Sequence, residues 1–226
     1  MTDSSPSGSN PDEMTLDEIR QAIAPSLPEH VAFDGWSDQA LALAAYQHKI
    51  PIERARLAFH DGRIQMIDAW FDSVDKALIG KAESLSLDDM RVRDKIQALI
   101  MARLEIMQPY REALRRALSI LVMPSHVPHS SQLSWHAADL IWKLAGDKST
   151  DFSYYTRRLS LDAIYMATLY VYLDDKDPEL ANTRQFLARR IGNFMKVHKI
   201  KSWFKRSEDS KFSFSRLLGR LRYPNK

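Results

Sequence analysis

The chain has 226 residues, 45% of them hydrophobic and 27% charged, which suits one globular unit large enough to bury a core. It contains no cysteine, and this removes disulfides, thiolate zinc sites, iron–sulfur clusters and a cysteine nucleophile together. The net charge of +3 hides an asymmetry: Lys196 to Lys226 carries ten Lys/Arg against Glu208 and Asp209, while Met1 to Gly80 carries six Lys/Arg against thirteen Asp/Glu.

The opening MTDSSPSGSNPDEM is polar and acidic, with neither a secretory nor an Arg-rich transit pattern, and residues 1–14 read as a disordered lead-in. Apolar residues then recur three and four apart, the helix period, and no strand is convincing. Thr15 or Asp17 can open a short first helix ended by Pro25 and Pro28. Ser37 is an N-cap for a helix carrying Leu41, Ala44, Ala45 and His48, and Pro51 is a first-turn proline for IERARLAF. Asp61-Gly62 breaks that helix before the stripe Ile64, Ile67, Trp70, Phe71, Val74 and Leu78.

Ser86 with Asp89 resembles a capping box, and Met90 to Met107 reads as helix until Pro109. REALRRALSILVM follows, stopped by Pro124 and Pro128. Leu133 to Leu144 is the next helix, with Gly146 in the C-terminal glycine position. Ser149 to Leu173 is long and apolar on several faces, and its apolar run ends in Asp174-Asp175 at about half the ~20 residues needed to cross a bilayer. Asp177-Pro178 opens a helix to about His198. In the basic tail, Trp203 and Phe204 sit among lysines and arginines. Phe214, Leu217, Leu218 and Leu221 share a helical face with Arg216 and Arg220 roughly opposite, the pattern of a membrane-surface helix.

No nucleophile elbow, phosphate loop or dinucleotide fingerprint occurs, so no catalytic residue and no cofactor are assigned. His126, His129 and His136 are close in sequence, but Pro124 and Pro128 interrupt any common helical face, and no metal site is assigned. Asp147, Asp151, Asp174 and Asp175 read as caps and exposed ion pairs. A helix-turn-helix unit followed by a long bundle is the layout of TetR-type regulators. Here, though, the candidate reading helix offers only Arg54 and Arg56 beside Glu53 in an acidic segment, where DNA binding needs a positive face. Nucleic acid is therefore not an expected partner, and a ligand-responsive TetR-type transcription regulator is the alternative reading. Leu159, Ala163, Met166, Ala167 and Tyr170 share a face that reads either as core or as the wall of a lipid pocket.

The run ADLIWKLAGDKSTDFSYYTRRLSLDAIYMATLYVYLDDKDPELANTRQFLARRI resembles the lipid-binding accessory family of ubiquinone biosynthesis, the ninth of the Coq proteins in eukaryotes and its bacterial relatives. REALRRALSILVMP and HVAFDGWSDQAL are similar to the same family, so the resemblance covers about Leu27 to Val197. It implies an all-α, TetR-like helical bundle, with a helix-turn-helix unit over 15–84, a lipid-binding bundle over 85–200 and a membrane-contacting tail over 201–226. It also implies a non-catalytic protein that binds an isoprenoid quinone intermediate or phospholipid, serves a demethoxyubiquinone hydroxylase-type enzyme and forms homodimers. The expected place is cytoplasmic, peripheral to the inner membrane. The family's partner face carries an aromatic pair in the motif DFNWYTRR; here DFSYYTRR puts that pair at Tyr154 and Tyr155, with Asp151 and Arg158 beside it.

Overall fold

The computed structural model describes residues 13–148 and 152–194. Asp151 and the tail residues Trp203, Phe204, Phe214, Arg216, Leu217, Leu218, Arg220 and Leu221 lie outside the described residues. The described residues fold as α-helices joined by short turns, with no strand among them.

Helix α1 (Leu16–Ile23) starts at a full capping box, the Thr15 hydroxyl accepting from the Glu18 N–H while the Glu18 carboxylate accepts from the Thr15 N–H. Helix α2 (Leu27–Asp34) begins where the sequence suggests a stop: Pro28 sits in its first turn, where the missing N–H costs nothing. Gly35, at φ +66°, ends it in a conformation that a side chain would strain. Helix α3 (Asp38–Gln47) is capped by Ser37 as its sequence suggests, and α4 (Ile52–Ala58) follows Pro51. Helix α5 (Arg63–Ser84) leaves Gly62, at φ +65°, and buries Met66, Ile67, Trp70, Phe71, Val74 and Leu78.

Helix α6 (Val92–Met107) starts after Arg91, so the capping box expected at Ser86 does not form. A 3-10 turn over Gln108–Tyr110 leads into α7 (Arg111–Leu121), and a second over Pro124–His126 leads into α8 (Val127–Leu144). Helix α8 thus begins six residues earlier than periodicity suggests. Helix α7 ends at Leu121; Pro124 opens the 3-10 turn and Pro128 sits in the first turn of α8, where a proline removes only an N–H that has no helical partner. Helix α9 (Phe152–Asp174) packs antiparallel on α8. The following helix, α10, covers residues 181–194.

Asp177-Pro178 proves to lie in the turn before α10, and Leu180, at φ +55° with its side chain buried, breaks continuity. The cap is supplied by Asp175: Oδ2 accepts from the Thr183 N–H and hydroxyl at 2.8 and 2.7 Å, and Oδ1 from the Asn182 amide and the Asp177 N–H. Burial alone would raise this carboxyl, but those donors hold it down at about 2.

The core runs continuously from Ile19 and Ile23 of α1, through Trp70 and Leu78 of α5 and Leu99 and Leu104 of α6, to Leu187 and Ile191 of α10. The N-terminal helices are fastened to the bundle by Trp36. Its ring lies 5.5 Å from that of Trp70, and its indole N–H donates to the Ala113 carbonyl of α7 at 3.1 Å.

Candidate functional site

Helices α3 and α4 stand as a helix-turn-helix, and the arginines of α4 are turned to structural use. Arg56 forks onto the Asp38 carboxylate at 2.6 and 3.0 Å, and Arg54 donates to the Met14 carbonyl. Helix α1 packs along α4, where Ala55 and Ala58 are fully buried and Arg20 Nε donates to the Ala58 carbonyl at 2.6 Å. A DNA-reading helix offers its cations to phosphates; this one spends them on its own fold.

The bundle, by contrast, encloses a cavity of about 430 Å³, within the range of small-ligand pockets. Its wall is almost wholly apolar. Helix α7 contributes Leu118 and Leu121, α8 Val127, Leu133 and Ala137, and α9 Tyr165, Met166, Leu169, Tyr170 and Leu173. Burial grades along it: Phe71, Leu121, Ala137 and Leu169 are buried, whereas Val122 and Tyr170 are each 73% exposed and mark the mouth.

Of the face proposed from periodicity, Met166 and Tyr170 line this cavity. Leu159, Ala163 and Ala167 do not: Leu159 is 63% exposed and Ala163 is exposed, because α9 turns that stripe outward while its next face, Tyr165 and Leu169, meets the other helices. Sequence reasoning missed the polar floor. Arg103 of α6, only 2% exposed, lines the cavity and pairs with the buried Asp75 of α5. Its Nε donates to the Tyr165 hydroxyl at 2.9 Å. A single arginine amid the apolar run ALIMARLEIM was the available signal, since a lone cation on a buried helix needs a buried partner.

The DFSYYTRR segment forms a second feature. Tyr155 is 61% exposed, its ring 5.1 Å from Tyr154 and 6.3 Å from Trp135 of α8. Arg158 is buried and is not itself available to a partner. It lies over the Tyr154 ring and bridges Asp139 and Asp147, while Arg157 joins Asp147 at 2.6 Å and Lys143 joins Asp139 at 2.7 Å. The Tyr154 hydroxyl donates to Asp139 Oδ1 at 3.1 Å. Burial would raise the Asp139 carboxyl, yet the bonds from Lys143, Arg158 and Tyr154 bring it below its ordinary value. Asp147, expected as an exposed cap, is instead a buried member of this network, which fixes the aromatic pair on the surface.

Among the described residues no group of three or more His, Asp or Glu is placed to hold a metal. His129 Nε2 lies 2.7 Å from Asp68 Oδ1, and His136 Nε2 lies 3.9 Å from Asp75 Oδ2. Among the described residues no helix is long and apolar enough to cross a membrane.

The COQ9 family model matches residues 127–198, which take in α8, α9 and α10. The mitochondrial ubiquinone biosynthesis protein COQ9 of Homo sapiens is 31% identical over 80% of this chain and 59% of its own length. COQ9-A of Xenopus laevis is 33% identical over 79% and 58%, and the Drosophila melanogaster protein is 28% identical over 92% and 67%. The chain thus spans about three-fifths of the length of the first two relatives. A TetR transcriptional regulator from Nitrosomonas europaea superimposes with a TM-score of 0.62 at 24% identity, covering 78% of this chain and 97% of that one, a likeness of fold. The cavity and the aromatic pair lie on a TetR-like all-α fold, and the chain is similar to the COQ9 proteins, whose family model matches it over α8 to α10.

Proposed function

We propose that this protein is a non-catalytic lipid-binding accessory protein of ubiquinone biosynthesis, which holds an isoprenoid quinone intermediate in the bundle and presents it to a demethoxyubiquinone hydroxylase-type enzyme. The relatives carry the words ubiquinone biosynthesis in their names. The observation that carries the reading is the apolar cavity open at one end between α7, α8 and α9. Burial of apolar surface at about 25 cal/mol per Å² favours lipid uptake only where the site is comparably apolar to the membrane, and the wall is apolar apart from the Arg103 end and Ser130 and Ser134.

Tyr155, with Tyr154 behind it and Trp135 beside it, is the docking face for the enzyme, since exposed aromatic anchors supply much of an interface's energy. The basic tail, with Trp203, Phe204 and Leu217 among its apolar residues, is the membrane contact. It would keep the protein peripheral to the membrane in which the quinone pathway works. Engagement of Arg54 and Arg56 within the fold speaks against the TetR-type regulator as the alternative.

The test is mass spectrometry of lipids extracted from the purified full chain. A prenylated quinone or quinone precursor enriched over the host membrane's composition is expected; a lipid profile matching bulk phospholipid would overturn the proposed ligand.

A further inference from the structure

The cavity has one polar pole, built from three helices: Arg103 from α6 and Tyr165 from α9 line it, and Asp75 from α5 backs Arg103. Asp75 neutralises Arg103, with which it pairs in a buried position. Arg103 Nε donates to the Tyr165 oxygen, so that hydroxyl acts as acceptor there and still has its own proton to give. Among the described residues none accepts that proton. The two serines on the cavity wall are spent locally, Ser130 donating to the Val127 carbonyl at 3.0 Å and Ser134 to the Ser131 carbonyl at 3.3 Å. A hydroxyl accepting from a guanidinium is polarised into a stronger donor, and burial leaves water little access to it.

We infer that the Tyr165 hydroxyl, backed by Arg103, is the specificity determinant of the cavity: it binds a neutral oxygen acceptor on the inward end of an amphiphile whose apolar chain leaves by the mouth. Three observations fix this orientation and class. Arg103 and Tyr165 are buried, while Val122 and Tyr170 at the mouth are exposed, so the polar end lies inside. The Arg103–Asp75 pair is net neutral, so a carboxylate would add an unbalanced negative charge beside Asp75, whereas a ring carbonyl or ether oxygen adds none. A volume of about 430 Å³ holds a substituted ring with the first stretch of a chain, and a longer chain must run out past Met166 and Tyr170. A phospholipid would sit the other way round, tails inward and headgroup at the mouth, and would leave the Tyr165 proton unmatched.

This inference rests on the cavity being a ligand site, and the experiment separates the two. Isothermal titration of the full chain with decylubiquinone, n-decylbenzene and palmitate, in detergent below its micellar concentration, compares three heads on similar chains. Decylubiquinone should bind about tenfold more tightly than decylbenzene, the worth of one buried hydrogen bond, and more tightly than palmitate. In Tyr165→Phe that tenfold advantage should vanish while decylbenzene affinity stays unchanged. Equal affinity for quinone and alkylbenzene in the native protein, an advantage that survives in Tyr165→Phe, or a preference for palmitate would each overturn the assignment while leaving the cavity a ligand site. Failure of all three to bind would overturn the cavity reading itself. Independently of any variant, the carbonyl stretch of bound decylubiquinone should move to lower frequency than in alkane; an unshifted band would also overturn the hydrogen bond.

Discussion

The helix-turn-helix unit and the bundle use the same kinds of residue in opposite ways. In the first, the arginines of α4 lie at or near the surface and are engaged there by Asp38 and a backbone carbonyl, while Phe33, Tyr46 and Leu57 stand exposed. In the second, Arg103 and Arg158 are buried against Asp75 and against Asp139 and Asp147, and apolar residues line an open space. The first arrangement engages the α4 cations within the fold. In the second, the Arg103–Asp75 pair lies at the cavity, while the Arg158 network ties the start of α9 to α8. A fold shared with a transcription regulator therefore leaves function open.

The largest test of that contrast is Arg158→Ala. Two carboxylates, Asp139 and Asp147, would be left buried without their central cation, and urea unfolding should show a loss of about 3–5 kcal/mol. A loss below about 1 kcal/mol would place this network with the surface pairs. Next comes Asp175→Ala, which removes the cap of α10 and should cost about 2 kcal/mol at pH 7. Because the folded carboxyl titrates at about 2, below its ordinary 3.8, the stabilisation is complete above about pH 4 and is lost as the pH falls toward 2. The gap between native protein and variant should therefore close over that interval, and a constant gap would show that the carboxylate's charge is not what caps the helix.

Tyr155→Ala removes an exposed ring and should weaken binding to a demethoxyubiquinone hydroxylase by about 2 kcal/mol, some thirtyfold, with stability unchanged. It is a cleaner probe than changing both tyrosines, since Tyr154 also donates to Asp139 and lies beneath Arg158. Unaltered affinity in surface plasmon resonance would remove this face from the interface. The smallest effect belongs to Arg56→Ala: the pair with Asp38 is more than half exposed, and thermal unfolding should register no more than about 0.5 kcal/mol. Gel shifts with genomic DNA at low salt sharpen the same side of the comparison, with no sequence-selective retardation expected.

The fold was legible where local physics decides. The 3.6-residue period, Ser37 as a cap, the Asp61-Gly62 break and the long helix ending at Asp174 all lie where the sequence suggests. Pro25, Pro51 and Pro109 fall at the boundaries expected of them, but other prolines do not. Pro28, Pro124 and Pro128 start elements rather than end them, while Pro178 sits in a turn ahead of its helix. Proline forbids the helix interior but permits both the first turn and the turn before it, so its presence marks a boundary without giving its direction.

The sequence by itself determined the helical period, an acidic helix-turn-helix segment, and the DFSYYTRR motif that carries the resemblance to the family. Only the tertiary structure decided which face of α9 meets the cavity. Periodicity finds a stripe such as Leu159, Ala163, Met166 and Tyr170, but on a helix apolar around much of its circumference it cannot say what each stripe faces. The polar floor is also a tertiary product: Asp75, Arg103 and Tyr165 come from three helices and are separated by tens of residues. Their meeting depends on how the helices pack, which no local rule in the chain specifies.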